Sequence, residues 1–342
     1  MSLHAHPARE PAQPCAEARQ ENPAPAAAVP CAQRDGEAPR STRATVREEG
    51  GTRRFAWFDG ELVDADSPRA PLTTHALHYG SGVFEGIRSY ATAGGGAAVF
   101  RLREHLERMR KGASLLGMDF DIVQATQAVL ATLRANGHRD AYVRPLAWCG
   151  TGSIGLDVAP LSRHLMVATL PLADGASVHL GSAQVRLGVS SWRRNPASSL
   201  PPLKLCGAYV NSILAKAEAK SRGYDEALFV DAQGRVVECT GANVFMVRDG
   251  RIVAVDHADA LPGITRDTLI ALTGAESRAV GLEELCDADE VFVCGTAAEV
   301  TSIAALDGRR YAGDAVGREL ARLYRRIVRG EEPAHAGWLC HV

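Results

Sequence analysis

Two hairpins set back to back constrain this chain more than any other feature of its sequence. The runs 226–230 and 235–238 flank a turn at Ala232, Gln233 and Gly234, and the runs 243–247 and 251–255 flank Asp249-Gly250. Glycine in such turns supplies the positive φ that closes antiparallel strands. The second half of the chain must therefore contain a sheet, and a strand at 184–192 is expected to join it. Helices punctuate that sheet. Residues 207–222 read as a helix closed by Gly223, and Pro262 and Gly263 turn the chain into another helix running to about Leu272.

The first half mixes the same ingredients. Apolar or alternating runs at 56–58, 97–100, 141–147 and 164–169 interleave with helical stretches. The clearest helix is 101–117, where Leu102, Leu106, Met109, Ala113 and Leu116 recur at helical spacing. Residues 171–181 lack periodicity and read as a connection between domains. Residues 1–54 hold no Phe, Trp or Tyr and seven of the 17 prolines, too little apolar surface to offset the entropy of ordering. The expected organisation is a disordered extension over 1–54, a small α/β domain over 55–175, a connection at 176–182, and a larger domain over 183–342.

Charge and cysteine usage exclude several classes. The formal net charge is −2, so there is no basic footprint for nucleic acid. No run of about 18 apolar residues is present, so no membrane partner is expected. The first 54 residues contain no apolar leader-type run but do contain acids such as Glu10, Glu17 and Asp35, which makes the cytoplasm the expected compartment. Eight cysteines lie without any CxxC spacing, so no metal site is expected.

Four lysines stand among 38 basic side chains, so lysine chemistry has few places to be. Lys111, Lys216 and Lys220 occupy helix positions that read as solvated. Lys204, in Pro201-Pro202-Leu203-Lys204-Leu205-Cys206, has apolar neighbours. An amine desolvated there becomes a nucleophile toward a carbonyl, or else its stem covers apolar surface while its head stays in water. Glu238 closes a hairpin strand, where a carboxylate either faces solvent or receives a cationic ring N–H. The stretch Gly263-Ile264-Thr265 at a helix start, and Gly295-Thr296-Ala297-Ala298 after an apolar strand, offer backbone N–H groups to an anion or are ordinary caps. Arg108 falls off the apolar stripe of its helix and reads as a surface arginine.

Taken in order, the motifs resemble a family. His75-Ala76-Leu77-His78-Tyr79-Gly80, Val83-Phe84-Glu85-Gly86-Ile87-Arg88, and the run from Phe100 to Arg108 resemble the small domain of class IV, fold type IV, pyridoxal-phosphate aminotransferases, and specifically branched-chain amino acid aminotransferases. The likeness continues through Tyr142-Val143-Arg144-Pro145-Leu146, Ser190-Ser191-Trp192, Lys204 with Tyr209, and Glu238 to Phe245. It extends through Leu261 to Asp267 and Gly295 to Thr301, and so covers essentially all of 55–340.

The resemblance implies a two-domain fold: a small α/β domain beside a larger pseudo-barrel domain. It implies pyridoxal 5'-phosphate as cofactor, with Lys204 as the Schiff-base lysine, Tyr209 at the ring hydroxyl and Glu238 at the ring nitrogen. Arg108, Ile264, Thr265 and Thr296 would cradle the phosphate, with Leu261 against the ring. Tyr79, Phe84, Gly86, Arg88, Tyr142 and Arg144 would form the substrate pocket, and Thr296 and Ala297 would receive the α-carboxylate. It further implies ping-pong transfer from leucine, isoleucine or valine to 2-oxoglutarate. Amino acids and 2-oxo acids would be the small-molecule partners, and the site would lie at a homodimer interface to which the glycine-rich stretch 150–155 contributes.

The runners-up are a carbon–oxygen lyase of the aminodeoxychorismate type, against which the Tyr-x-Arg setting of Arg144 argues, and an aminotransferase of altered donor preference. The sequence departs from the family pattern at Cys239, Ala242 and Ala254, and 171–181 lacks the tyrosine often found there.

Overall fold

The computed structural model describes residues 54–172 and 185–342. The expected extension and the connection at 176–182 lie outside the described residues, except for Arg54. Two sheets organise the rest.

The first is built from β1 (Phe55–Phe58), β2 (Glu61–Asp64), β3 (Gly82–Phe84), β4 (Ile87–Ala91), β5 (Ala97–Phe100), β6 (Ala141–Cys149) and β7 (Arg163–Pro171). Helix α1 (His75–Tyr79) precedes β3, and α2 (Leu102–Leu115) and α3 (Ile122–Asn136) fill the interval before β6. All of these strand pairings are antiparallel. Leu106, Val129 and Leu133 of the two helices pack on Ala141 and Val143 of β6 and on Val99 and Val167. Because strand side chains alternate faces, Tyr142 and Arg144 lie on the other side of β6.

Strands β3 and β4 both pair with β6 and are separated by Glu85-Gly86. The interruption lies opposite Pro145, which has no N–H to give, and the Glu85 N–H donates to the Pro145 carbonyl at 3.0 Å.

The second sheet comprises β8 (Val185–Val189), β9 (Glu226–Val230), β10 (Val236–Cys239), β11 (Asn243–Arg248), β12 (Arg251–Val255), β13 (Glu276–Arg278), β14 (Glu290–Gly295), β15 (Glu299–Leu306) and β16 (Arg309–Arg310). Both expected hairpins are present. The ladder runs β10-β9-β8-β15-β14-β11-β12-β13, and the sheet rolls so that β10 also lies against β11 and β12. Its helices are α4 (Tyr209–Ser221), α5 (Ile264–Thr273), α6 (Leu282–Cys286) and α7 (Ala315–Val328). The helix expected at 207–222 begins instead as one tight turn, Cys206–Ala208, that leads into α4.

Helix α7 packs Leu320, Tyr324 and Val328 into a cluster with Phe245 and Phe292 of the second sheet and with Tyr90 and Phe100 of the first. The last strand, β17 (Leu339–His341), pairs antiparallel with β5. The sequence division assigned everything after 183 to the second domain, yet these final residues complete the edge of the first sheet.

Candidate active site

Between the two sheets lies a cleft of about 570 Å³, counted to its open mouth, lined by Gly86, Arg108, Tyr142, Lys204, Tyr209, Glu238, Leu261, Ile264, Thr265, Thr296 and Ala297, with Arg194 beside them. Thr240, Gly241, Ala242, Asn243, Gly263, Cys294 and Gly295 complete the lining; neither they nor Arg194 received a role from the resemblance.

Lys204 is fixed through its backbone. Its carbonyl accepts from the Phe84 N–H at 3.1 Å, and the next residue, Leu205, bridges Val83. The side chain crosses into the cleft, where Nζ lies 2.7 Å from the Tyr209 hydroxyl and 5.3 Å from the centre of the Phe84 ring. The alternative in which the lysine head reaches bulk solvent is not what the structure shows. Lys216 is also corrected: it was read as solvated, but its Nζ pairs with the fully buried Glu226 at 2.8 Å.

One end of the cleft is cationic. Arg108, read from its helix as a surface residue, is buried. Its Nε and Nη2 donate to Glu85 Oε1 and Oε2 at 2.7 and 2.9 Å, and Nη1 donates to the Pro262 carbonyl at 2.8 Å. The helix's polar face is covered by a loop from the second sheet, which a helical wheel cannot see. Burial would weaken the guanidinium's hold on its proton, but Glu85 outweighs it and raises its pKa. Burial likewise pushes the Glu85 carboxyl up, yet Arg108 and His105 hold it well below the usual carboxylate range. Helix α5 begins beside this cation with no side-chain cap, leaving the first-turn N–H groups of Ile264 and Thr265 to an anion. A side chain at Gly263 would displace Asn243, because a Cβ there would lie 1.9 Å from Asn243 Oδ1. That Asn243 also donates to the Leu261 carbonyl at 3.0 Å.

The other end is anionic. Glu238, far from facing solvent, is buried. Burial raises its pKa, opposed chiefly by Arg194, then by the Leu261 N–H and Lys204. Arg194 Nε donates to Oε1 at 2.8 Å and the Leu261 N–H to Oε2 at 3.0 Å. No sequence signal separated Arg194 from its neighbour Arg193, whose guanidinium serves the Val230 carbonyl instead.

On the wall formed by β6, the Arg144 guanidinium lies 4.8 Å over the Phe84 ring and 5.2 Å from that of Tyr142, and Nη2 donates to the Tyr142 hydroxyl at 2.8 Å. Its Nε is buried without a hydrogen-bond partner. Gly86 gives Tyr142 its room: a Cβ there would stand 2.1 Å from the Tyr142 hydroxyl, which would have to move.

Four expected pocket residues stand apart from the lining: Phe84 and Arg144, which pack behind Tyr209 and Tyr142, and Arg88 and Tyr79. Arg88 is buried and paired with Glu299 at 2.7 Å, bracing the strand that follows the Thr296-Ala297 turn. Tyr79 is half exposed, and its hydroxyl donates to the Ile154 carbonyl at 3.0 Å.

The family model for amino-transferase class IV matches residues 82–306. A branched-chain-amino-acid aminotransferase of Pseudomonas aeruginosa is 36% identical over 297 residues, spanning 82% of this chain and 95% of that protein. The enzyme of the same name from Escherichia coli K12 is 34% identical over 307 residues, spanning 84% and 97%. Among solved structures, the Thermoproteus uzoniensis branched-chain aminotransferase with norvaline has a TM-score of 0.80 at 40% identity, covering 85% of this chain and 99% of that one. The Thermobaculum terrenum branched-chain amino acid aminotransferase in its PLP-form has a TM-score of 0.77 at 33% identity, covering 84% and 98%.

Proposed function

The chain belongs to the class IV aminotransferases, and from that premise we propose that it moves the amino group of leucine, isoleucine or valine to 2-oxoglutarate by a ping-pong cycle dependent on pyridoxal phosphate. One observation carries the reading: an amine 2.7 Å from a phenol, in one cleft with a buried cation beside an uncapped helix start and with a buried carboxylate. That donor set fits a ring bearing a carbonyl, a phosphate and a basic nitrogen. Arg108, the N–H groups of Ile264 and Thr265, and Thr296 would hold the phosphate. Leu261 would lie against the ring, Tyr209 at its hydroxyl and Glu238 at its nitrogen. When bound, the group supplies an electron sink for the bonds at the amino acid's Cα.

The remaining work belongs to the protein. Lys204 Nζ would take the proton from the amino acid's Cα and deliver it to the carbon that carried the cofactor's carbonyl, and the Tyr209 hydroxyl keeps that amine aimed into the cleft. The N–H groups of Thr296 and Ala297 bind the substrate α-carboxylate. Arg144 answers the demand that one pocket hold both an aliphatic chain and a second carboxylate. Its guanidinium offers an unused buried donor beside two aromatic rings, so the same wall serves glutamate by charge and leucine by apolar contact.

We place the site at a homodimer interface and the enzyme in the cytoplasm. Leu72, Leu77, Tyr79, Ile154 and Leu156 are all at least half exposed, an apolar surface of the kind that a second copy covers. Pairing there would bring Tyr79 and the 150–155 stretch to the neighbouring cleft.

The test is a half-reaction assay on the holoenzyme. Leucine and glutamate should each convert the cofactor's absorbance to that of its amine form, and borohydride should fix the cofactor to Lys204. Arg144→Met should cost the glutamate half-reaction about 2–4 kcal/mol of transition-state stabilisation and leucine far less. Equal losses, or an adduct on Lys111, Lys216 or Lys220, would refute the assignment.

A further inference from the structure

The carboxylate of Glu85 touches none of the groups that would meet the cofactor's ring or the substrate, yet it is completely buried and fully engaged. An arginine has five N–H donors. In Arg108 two are taken by the Glu85 carboxylate and one by the Pro262 carbonyl. One N–H is left on each of Nη1 and Nη2. A two-point contact of this kind fixes the plane of the guanidinium, so the two remaining donors have one direction. The same Glu85 Oε2 receives His105 Nδ1 at 2.8 Å, and the opposite ring nitrogen, Nε2, lies 3.4 Å from Thr296 Oγ1. Burial keeps His105 below its ordinary pKa. One carboxylate therefore orders two side chains of the cradle from behind.

We propose that Glu85 is the positioning residue of the phosphate arm, setting the protein's preference for the phosphorylated cofactor without contacting it. The inference rests on the reading of Arg108 as a phosphate holder. Two effects of Glu85 oppose each other. A buried negative charge near a phosphate dianion weakens binding, whereas a fixed guanidinium strengthens it. The geometry assigns the larger effect to orientation, because an unheld Arg108 would have to desolvate and order itself at the moment of binding.

The experiment titrates the full-length chain, stripped of cofactor, with pyridoxal phosphate and separately with pyridoxal, following the absorbance of the bound form. Glu85→Gln should weaken pyridoxal phosphate by about tenfold to a hundredfold, the range of a hydrogen bond to a charged group, while pyridoxal binding stays within about twofold. Glu85→Asp keeps the charge but shortens the reach, and should lose the preference as well. It carries the test alone should the glutamine variant not fold.

Tighter binding of pyridoxal phosphate by Glu85→Gln, or an unchanged preference in either variant, would overturn the proposal. So would an equal loss for pyridoxal, which would mark Glu85 as a general packing residue. Arg108→Gln separates the premise from the inference. If it keeps the preference for the phosphate form, Arg108 is not the holder and the underlying reading fails; if it loses the preference and the Glu85 variants do not, only the inference fails.

Discussion

Replacing Arg194 by methionine isolates the electrostatics of the anionic end of the cleft. The pair is almost wholly buried, each side chain being 6% exposed, with Nε 2.8 Å from Oε1. Unit charges about 4 Å apart at an effective dielectric near 20 attract by about 4 kcal/mol, and removing one partner of such a pair costs roughly 3–5 kcal/mol. Burial already raises the Glu238 carboxyl above its ordinary 4.5, and Arg194 is the largest influence opposing it. Without the arginine the carboxyl rises further and binds a proton in the folded protein under conditions where the unfolded chain has lost it.

The sign of the pH dependence follows: the folded state then binds more protons than the unfolded state, so stability falls as pH rises from about 4.5, by up to about 1.4 kcal/mol per pH unit. An unfolding entropy of about 0.6 kcal/mol/K, taken for the described residues 54–172 and 185–342, converts the full cost to a drop of about 5–8 °C in Tm. Differential scanning calorimetry of wild type and variant at pH 5 and pH 8, at one protein concentration, should therefore show a gap that widens toward pH 8. A gap of equal size at both pH values would refute the argument, since a merely lost packing contact has no reason to titrate.

Other expectations follow from single contacts. Gly86→Ala places a methyl 2.1 Å from the Tyr142 hydroxyl, which must swing away and release Arg144; kcat/KM should fall up to about a hundredfold while overpacking costs only about 1–3 kcal/mol of stability, and unchanged steady-state kinetics would show that Tyr142 moves without consequence. Lys204→Ala should keep the fold, as judged by circular dichroism, and lose turnover altogether; residual activity rescued by no added amine would point to another base. Asp121 caps α3 by accepting from the Val123 and Gln124 N–H groups at 2.7 and 3.3 Å, so Asp121→Ala should cost about 1 kcal/mol with kcat untouched, measured by urea unfolding beside an activity assay.

What could be read from the sequence divides along the range of the interactions. The hairpins and the Pro262-Gly263 turn depend on neighbours in sequence, and turn chemistry alone located them. Lys204, Tyr209 and Glu238 were found because their motifs resemble a family; their own surroundings left a solvated lysine and a solvent glutamate open. Arg108 defeated the helical wheel because its cover comes from Pro262, 154 positions away. Glu85 and His105 sat inside quoted motifs without a role, since a carboxylate that acts by holding another side chain has no signature of its own. Arg194 and the Lys216–Glu226 pair were missed for the same reason: each becomes visible only when distant strands bring the partner carboxylate to it.

The return of β17 to β5 bears on how the chain is made. Residues 97–100 leave the ribosome early, yet their outer hydrogen-bonding edge is satisfied by Leu339, Cys340 and His341, about 240 residues later. At about 5–20 residues per second this strand, fully buried in the finished protein, waits for residues far along the chain with one backbone edge uncovered and with its Phe100 ring not yet met by Tyr324 and Trp338. Such an edge is a template for pairing with a neighbouring nascent chain. The first sheet begins before the second but cannot be finished before it. Its completion requires closing a loop of about 240 residues, a slow, entropically opposed step. Biogenesis of this enzyme is thereby tied to residues 339–341, and the hazard of misassembly is concentrated in the interval before they are synthesised.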